Sequence, residues 1–407
     1  MTIPHLRVLV LAPQPFFQNR GTPIAIRLLA GELAALGHET HLLVFHEGED
    51  VALPGVTLHR AAKLPGLGPI PPGFSFGKII YDAALFAKAC SLMRRHHFDV
   101  VHACEEAAFL ARALKMMFGV PYIYDMDSSL PIQLIDKMPF CRHFAGLLQA
   151  AERMAVRSSV GVVAVCQALA DIAIAAAPDK VVARLEDISL LNSPLNNPPD
   201  NLLEESAEEA AENLREAYRL TGPLFLYVGN LESYQGIDLL LAAFSLACSR
   251  GCPGNLVIIG GGEAAIGHYR GQTKALGIGG RVIFHGPRPA ALLGGYLAQA
   301  DVLVSPRTRG NNTPMKLYSY LDSGKAIVAT NLPTHTQALD PSCACLAEAN
   351  AESLAVGLER LADSPELRRQ LGERGRRLAQ ENYSLAAFRG KLAAFYEEIS
   401  GLVVKNG

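Results

Sequence analysis

Several absences limit what this 407-residue sequence can encode. It has no tryptophan and no apolar run of about 18 residues, the length that a membrane-spanning helix needs. Its eight cysteines are scattered without a Cys-x-x-Cys pair, which is typical of reduced core residues, so we predict no metal site. A charge excess is missing too, because 37 Lys and Arg face 39 Asp and Glu, and we predict no nucleic-acid partner.

The composition that remains is that of a packed protein. Half of the residues are hydrophobic and 19% are charged, which excludes a disordered chain. At roughly 150 residues per domain the length predicts two or three domains. The apolar run that follows Arg7 ends quickly at Pro13, so it predicts a buried first strand rather than a signal peptide, and we expect a cytoplasmic protein.

Short β-rich runs alternate with helical patterns in both halves of the chain, which predicts α/β domains with parallel sheets. Prolines and asparagines at 190–200 and an acidic stretch at 204–218 separate the two halves. We therefore predict two tandem Rossmann-like domains that face a central cleft. The predicted strands are Arg7–Leu11, Glu39–Phe45, Val100–His102, Tyr122–Asp125, Gly161–Val165, Leu224–Val228, Leu256–Ile259, Arg281–Phe284, Asp301–Ser305 and Ala326–Thr330.

The loop from Pro306 to Lys316 is the strongest candidate for a ligand site, because ligands of such sheets bind beyond the carboxyl ends of the strands. Arg307, Arg309 and Lys316 concentrate positive charge before a helix that we expect to begin at Pro314. A phosphate or diphosphate is the natural partner of this loop. The alternative is a solvated loop in which Thr313 caps the helix.

Two further loops carry candidate residues. Asp125 and Asp127 close a first-domain strand and, two residues apart, can face the same side as a base, sugar ligand or metal ligand. Gly21 and Thr22 open the first helix, where glycine permits close backbone approach to an anion. Helix capping and an ordinary helix start are the respective alternatives, and His102 is interpreted as a core histidine.

The Gly-rich turn after the second strand of the second domain is a weak signal. Gly260, Gly262 and Ala265 fit a GxGxxG/A pattern, but the acidic residue expected about 20 positions later is missing. We therefore do not predict NAD binding, and a tight turn with little ligand contact is an equal alternative.

The ordered set of these segments resembles the GT-B fold of nucleotide-sugar glycosyltransferases, specifically the retaining family 4 type. The resemblance spans nearly the whole chain. It is carried by the segments GTPIAIRLLAGELAALGHET, FDVVHACEEAAFLARAL, VGVVAVCQALAD, FLYVGNLESYQGIDLLLAAF, NLVIIGGGE, RVIFHGPRPAALLGGYLAQADVLVSP and KLYSYLDSGKAIVATN.

The chain departs from the family pattern at its charged positions. Asn230 and Gln235 stand where the family usually has Arg and Lys for the donor diphosphate. Asn311 and Ser319 replace two glutamates, and Asp127 stands where a histidine is common. We predict that Arg307, Arg309 and Lys316 resupply the missing charge, since an unneutralised diphosphate would bind poorly.

The resemblance implies a metal-independent, retaining transfer of a sugar from a UDP-, GDP- or ADP-sugar, which is a co-substrate, so no cofactor is expected. It implies an acceptor domain at 1–195, a donor domain at 196–380 and a helix at 381–407 that packs back on the first domain. Asp127 and Asp125 would act in catalysis. The implied donor contacts are Gly21, Thr22, Gly229, Asn230, Gln235, Arg307, Arg309 and Lys316 for the diphosphate, Asn311, Asn312 and Thr313 for the sugar, and Gly261, Phe284, Gly286, Pro287, Arg288 and Ser319 for the nucleoside.

The acceptor is a glycan or a lipid. The stretch Lys78–His97 combines apolar and basic residues, which predicts either peripheral binding to an anionic membrane or a helix packed on its own sheet. Other functions remain open: a catalytically weak nucleotide-sugar binding protein of the same fold, a GT-B epimerase and a glycosyl phosphorylase.

Overall fold

The computed structural model describes residues 5–18, 21–64, 70, 76–191 and 211–403. The contacts divide the chain into two compact units. Unit 1 comprises Met1–Glu186 and Phe388–Gly407, and unit 2 comprises Asp187–Ala387. The boundary predicted at 195/196 lies outside the described residues, and the predicted domain limits stay predictions.

Unit 1 contains a seven-stranded sheet in the order β3-β2-β1-β4-β5-β6-β7, and every pair in it is parallel. The strands are β1 (Arg7–Leu11), β2 (Glu39–Val44), β3 (Val56–Arg60), β4 (Val100–Cys104), β5 (Tyr122–Met126), β6 (Gly161–Ala164) and β7 (Val181–Arg184). The α-helices of this part are α1 (Gly21–Ala35), α2 (Phe76–Arg95), α3 (Ala107–Phe118), α4 (Leu130–Lys137), α5 (Ala145–Ser158) and α6 (Gln167–Ala176).

Unit 2 contains a six-stranded sheet in the order β10-β9-β8-β11-β12-β13, again with parallel pairs. The strands are β8 (Leu224–Val228), β9 (Asn255–Ile259), β10 (Val282–Gly286), β11 (Val302–Ser305), β12 (Ala326–Thr330) and β13 (Cys345–Ala347). The α-helices that follow in the chain are α7 (Leu214–Ala217), α8 (Ile237–Ser249), α9 (Glu263–Ala275), α10 (Leu293–Gln299), α11 (Lys316–Asp322), α12 (Pro333–Thr336), α13 (Ala351–Asp363), α14 (Pro365–Asn382) and α15 (Leu385–Val403).

The two-sheet α/β class is confirmed, and the strand order of each sheet reverses beside its first strand. In unit 1 β1 lies between β2 and β4, and in unit 2 β8 lies between β9 and β11. In a doubly wound sheet this switch point is where a crevice opens beyond the carboxyl ends of the strands. The loops after β1, β4, β8 and β11 are therefore placed to form ligand sites.

Helix boundaries differ from prediction where a turn precedes the helix. The sequence pattern predicts one helix near Phe140–Arg157, whereas the structure has a 3-10 helix, Pro139–Phe144, followed by α5. The helix expected from Pro314 begins at Lys316. Thr313 does not cap α11, because its N-cap residue is Met315. The strands β3, β7 and β13 were not predicted, since each is short and only partly buried.

Helix α2 packs on the sheet of unit 1, as the second interpretation of Lys78–His97 expected. Its inward face buries Tyr81, Leu85, Ala89 and Leu92 in the core. Lys78 corrects the membrane interpretation at one position, because its side chain is buried and forms an ion pair with Glu106. A buried cation that already has a carboxylate partner is not available to a lipid headgroup. None of the helices among the described residues is long and apolar enough to cross a bilayer.

The last helix, α15, contributes a buried tyrosine and two ion pairs to unit 1. Arg389 binds Glu32 at 2.6 Å, and Lys391 binds Glu186 at 2.6 Å. Tyr396 is fully buried, and its hydroxyl lies 2.9 Å from Nδ1 of His102 in β4. These contacts join the end of the chain to the strand edge that carries the predicted acidic residues.

Candidate active site

Two cations meet at the carboxyl edge of the unit 2 sheet. Lys316 Nζ donates to Oε1 of Gln235 at 3.2 Å and lies 4.0 Å from the ring centre of Tyr227. Burial, followed by repulsion from Arg307, lowers the pKa of Lys316 to about 7. Burial also lowers the pKa of Arg307. Among the described residues neither cation forms an ion pair, so the pair is suited to an anion.

Arg307 is held by neutral groups. Its Nη1 donates to the carbonyl of Asn312 and to the hydroxyl of Thr334, both at 3.1 Å, and its guanidinium lies 5.0 Å from the ring centre of Tyr234. Its Nε is buried and has no hydrogen-bond partner in the described part of the chain. A buried donor without an acceptor is costly, and a bound phosphate oxygen would satisfy it.

A buried histidine fixes the loop that carries Arg307. His335 lies between the hydroxyls of Ser305 and Thr330, each at 2.9 Å, and burial lowers its pKa to about 4. Thr330 in turn donates to the carbonyl of Arg307 at 2.5 Å. A neutral histidine of α12, whose ring contacts Ser305 at the end of β11, thus positions the loop without adding charge to the site.

Gly229 leaves room for the Lys316 ammonium. Its φ is +152°, and a Cβ there would lie 3.2 Å from Lys316 Nζ and 3.0 Å from the hydroxyl of Tyr227. Gly261 also has a positive φ of +81°, and a Cβ there would meet Leu231 at 2.4 Å. Gly261 therefore permits the tight turn after β9, and its predicted contact with the nucleoside stays a prediction.

The predicted diphosphate and sugar residues divide into those near the cations and those that face solvent. Gln235, Asn312 and Gly229 contact or adjoin Lys316 and Arg307. Asn230, Arg309 and Asn311 are exposed, and Thr313 is buried. Buried Arg307 and half-buried Lys316, but not exposed Arg309, thus supply the positive charge of this site.

The predicted nucleoside residues lie around the end of β10 and on α11. Gly286, Pro287 and Arg288 are accessible, and Arg288 Nε donates to Nε2 of His285 at 3.0 Å. Phe284 points into the hydrophobic core. Ser319 is fully buried and accepts a hydrogen bond from the Leu190 backbone at 3.0 Å, so the geometry gives no support to nucleoside contacts from these two side chains.

The acidic residues of unit 1 lie at the ends of β4 and β5. Oδ2 of Asp125 lies 3.2 Å from Nε2 of His102 and accepts a hydrogen bond from the Cys104 thiol at 3.6 Å. His102 is fully buried and has partners on both ring nitrogens, which confirms the interpretation as a core histidine. Burial, then Asp125 and Asp127, raises the pKa of Cys104. Both aspartates therefore act on this thiol, and whether they face the same side stays a prediction.

Glu105 follows β4 in a backbone conformation that non-glycine residues rarely adopt, with a φ of +51°. Its carboxylate accepts hydrogen bonds from Gln14 Nε2 at 2.7 Å and from the Ser128 hydroxyl at 3.4 Å. Burial, followed by repulsion from Glu106, raises its pKa to about 7. Such strain is often found at functional sites.

Gly21 and Thr22 are the first two residues of α1. Gly21 is exposed, and a Cβ there would meet no atom within 4 Å. The open space is compatible with the predicted approach of an anion, which stays a prediction.

One group of side chains in the described residues has the composition of a metal site. His102, Cys104 and Asp125 each offer one ligand atom, and the three atoms lie within 4.8 Å of one another. Each of these atoms already takes part in the hydrogen-bond network just described. The network accounts for the geometry with the thiol protonated, which is consistent with the raised pKa of Cys104.

The family of the chain follows from comparison with known proteins. Residues 20–183 match the model described as Glycosyltransferase Family 4, and residues 210–378 match the model described as Glycosyl transferases group 1. The chain is a GT-B glycosyltransferase. The enzyme is 24% identical to the alpha-D-kanosaminyltransferase of Streptomyces kanamyceticus over 396 residues, which are 92% of this chain and 99% of that protein.

Solved structures share the fold of the glycosyltransferase. Sucrose-phosphate synthase from Thermosynechococcus elongatus superposes with a TM-score of 0.78 at 17% identity, covering 98% of this chain and all of that one. Anabaena HepE in complex with UDP-glucose superposes with a TM-score of 0.68 at 16% identity, covering 96% of this chain and 99% of that one. At such identities these likenesses establish the fold and assign no ligand to this enzyme.

Removal of divalent metal should leave glycosyl transfer unchanged. Lys316 and Arg307 supply positive charge in unit 2, and His102, Cys104 and Asp125 are linked by hydrogen bonds. Turnover measured before and after dialysis against a chelator would check this expectation. A loss that Zn²⁺ restores in the parent enzyme but not in Cys104→Ser would instead identify the three residues as a metal centre.

Sequence reasoning missed three neighbours of the cations: Tyr227, Tyr234 and Thr334. Tyr227 lies in a buried strand, and Thr334 lies in a short helix after β12, so neither belongs to a motif. Tyr234 stands inside the predicted diphosphate loop and could have been found there as an aromatic surface for a cation.

Proposed function

We propose that the enzyme transfers a sugar from a nucleoside diphosphate donor to an acceptor hydroxyl, with retention at the anomeric carbon. The observation that carries this proposal is the pair formed by half-buried Lys316 and buried Arg307, which no carboxylate neutralises among the described residues. HepE, with the same fold, has been crystallised in complex with UDP-glucose, which supports a donor of this class.

The pair would act on the leaving group. As the bond between the anomeric carbon and the diphosphate breaks, negative charge develops on the departing oxygen, and fixed cations stabilise that charge. The acceptor oxygen then forms the new bond to the anomeric carbon, and its proton passes to the departing phosphate oxygen, which leaves as the nucleoside diphosphate. Asp127 would contact the sugar or the acceptor, while Pro287 and Arg288 would line the nucleoside site.

The substitutions of Asn230 and Gln235 for the usual cations do not favour the inactive alternative. Gln235 accepts a hydrogen bond from Lys316, so the residue that replaces a cation also orients one. Lys316, at the start of α11, thus supplies the positive charge that positions 230 and 235 lack. This contact favours a working transferase over a binding protein that has lost its diphosphate ligands.

We further propose that the acceptor is a glycan or lipid at the surface of a membrane, and that the enzyme is peripheral on its cytoplasmic face. Exposed apolar and basic side chains of unit 1 support this location.

A donor screen followed by a turnover assay tests the function. The correct UDP-, GDP- or ADP-sugar should stabilise the enzyme by about 2.7 kcal/mol at a hundredfold excess over its Kd. With a panel of glycan and glycolipid acceptors, free nucleoside diphosphate should appear only when acceptor is present. Donor binding without release under every acceptor condition would support the inactive binding protein instead.

A further inference from the structure

Unit 1 carries an open cleft lined by three arginines, away from the strand ends that carry its acidic residues. The cleft measures about 500 Å³ and is lined by Arg112, Ala150, Arg153, Met154, Arg157 and Ser158. Five of these residues belong to α5 and recur at helical spacing, so they share one face of that helix. Arg112 comes from the neighbouring helix α3.

All of the charged side chains that line this cleft are positive. None of its six lining residues is acidic, and the one acid of α5, Glu152, is buried and accepts a hydrogen bond from Ser129 at 3.0 Å. Arg157 donates to the Ala176 carbonyl at 2.9 Å, which fixes its guanidinium at the cleft. Three guanidiniums without a carboxylate among the lining residues are suited to phosphate oxygens.

Large apolar side chains on the same two helices and the turn before α5 are exposed. Leu147 is 71% exposed and Met154 44%, and on α3 Met116, one turn from Arg112, is 68% exposed. Phe140 and Phe144, just before α5, are 60% and 56% exposed. Apolar side chains beside basic ones on one helical surface are typical of a helix that lies in a lipid interface.

We propose that this α3–α5 face, defined by Arg112, Met116, Leu147, Arg153, Met154 and Arg157, binds an anionic phospholipid bilayer. The arginines contact lipid phosphates, and the apolar side chains enter the interface. A second copy of the chain fits this face less well, because a twofold contact would bring the arginines of both copies together. The inference rests on the proposed membrane location of the acceptor. It assigns membrane binding to the α3–α5 face instead of α2.

Vesicle binding measured without donor or acceptor tests the inference. We expect the enzyme to sediment with vesicles of phosphatidylcholine and phosphatidylglycerol at low salt, and not with phosphatidylcholine alone. Replacing Arg112, Arg153 and Arg157 by Gln should weaken binding on the order of 100-fold, given the attraction of each basic residue to an anionic surface. Leu147→Ser with Met154→Ser, which keeps the arginines, should also weaken it.

The matched control removes three exposed cations elsewhere in unit 1, with Lys63, Arg94 and Arg95 replaced by Gln. Binding of this variant should stay close to that of the parent, whereas an equal loss would overturn the proposal, as would failure of the parent to bind anionic vesicles. A dimer in solution that Leu147→Ser disrupts would also overturn it by making the face a contact between copies. Since no sugar is transferred in this assay, a negative result would leave the proposed glycosyl transfer standing.

Discussion

Replacing Lys316 by Met should weaken binding of the nucleotide-sugar donor by about 100-fold, the scale of a charge-assisted contact to a desolvated anion. Met keeps the length and apolar stem of the side chain and removes only the ammonium that Gln235 orients. Donor affinity measured by calorimetry would check the loss. Lys325→Met is the matched control, because Lys325 precedes β12, at the opposite edge of the same sheet, and donates to the Ala298 carbonyl at 2.6 Å. Equal affinities of the parent and Lys316→Met would remove this residue from the donor site.

The same residue gives donor binding a characteristic dependence on pH. Burial lowers the pKa of Lys316 from 10.5 to about 7 in the free enzyme, and a bound diphosphate favours its charged form, so binding takes up a proton above pH 7. Donor affinity should therefore fall as the pH rises above about 7, and Lys316→Arg, whose charge is fixed, should flatten that profile. The stability of the unliganded protein changes with pH in the opposite direction from donor affinity. The unfolded side chain keeps its proton up to 10.5, so the cost of burying Lys316 is largest below pH 7 and fades as the pH rises to 10.5.

The fold could be predicted because each sheet is buried on both faces and its strands stand out as apolar runs between helices. Leu224–Val228 and Ala326–Thr330 match the structure to the residue. Strand β3 escaped prediction because an edge strand such as Val56–Arg60 is only partly buried and carries polar residues. The alternation of apolar runs and helical patterns in the sequence does not identify such a strand.

The site could be predicted only as a set of loops. Arg307 and Arg309 are equivalent in sequence, two positions apart in one loop, yet the first is buried over Tyr234 and the second is exposed. The contact between Lys316 and Gln235 joins residues 81 positions apart, and the spacing of neither motif specifies it. Which cation is buried is decided by how the loops after β8 and β11 pack together, and that packing is a property of the folded sheet.

Asp127→Asn should lower the turnover of the transferase by roughly 100-fold or more, the scale expected when a group that assists proton transfer or binds the reacting sugar is lost. Asn has the same shape, so thermal stability should change little. The same substitution at the neighbouring aspartate, Asp125→Asn, is the comparison variant. Oδ2 of Asp125 accepts from Cys104 and lies 3.2 Å from His102, so its loss should lower the unfolding temperature by leaving buried groups unpaired.

Turnover and unfolding temperature measured on both variants would separate the two aspartates, which sequence spacing alone placed on one face. We expect Asp127 to act on the reaction and Asp125 to hold His102 and Cys104 in place. The reverse pattern, with turnover lost and stability kept in Asp125→Asn, would assign the chemistry to Asp125 and make its contacts with His102 a means of tuning that carboxylate.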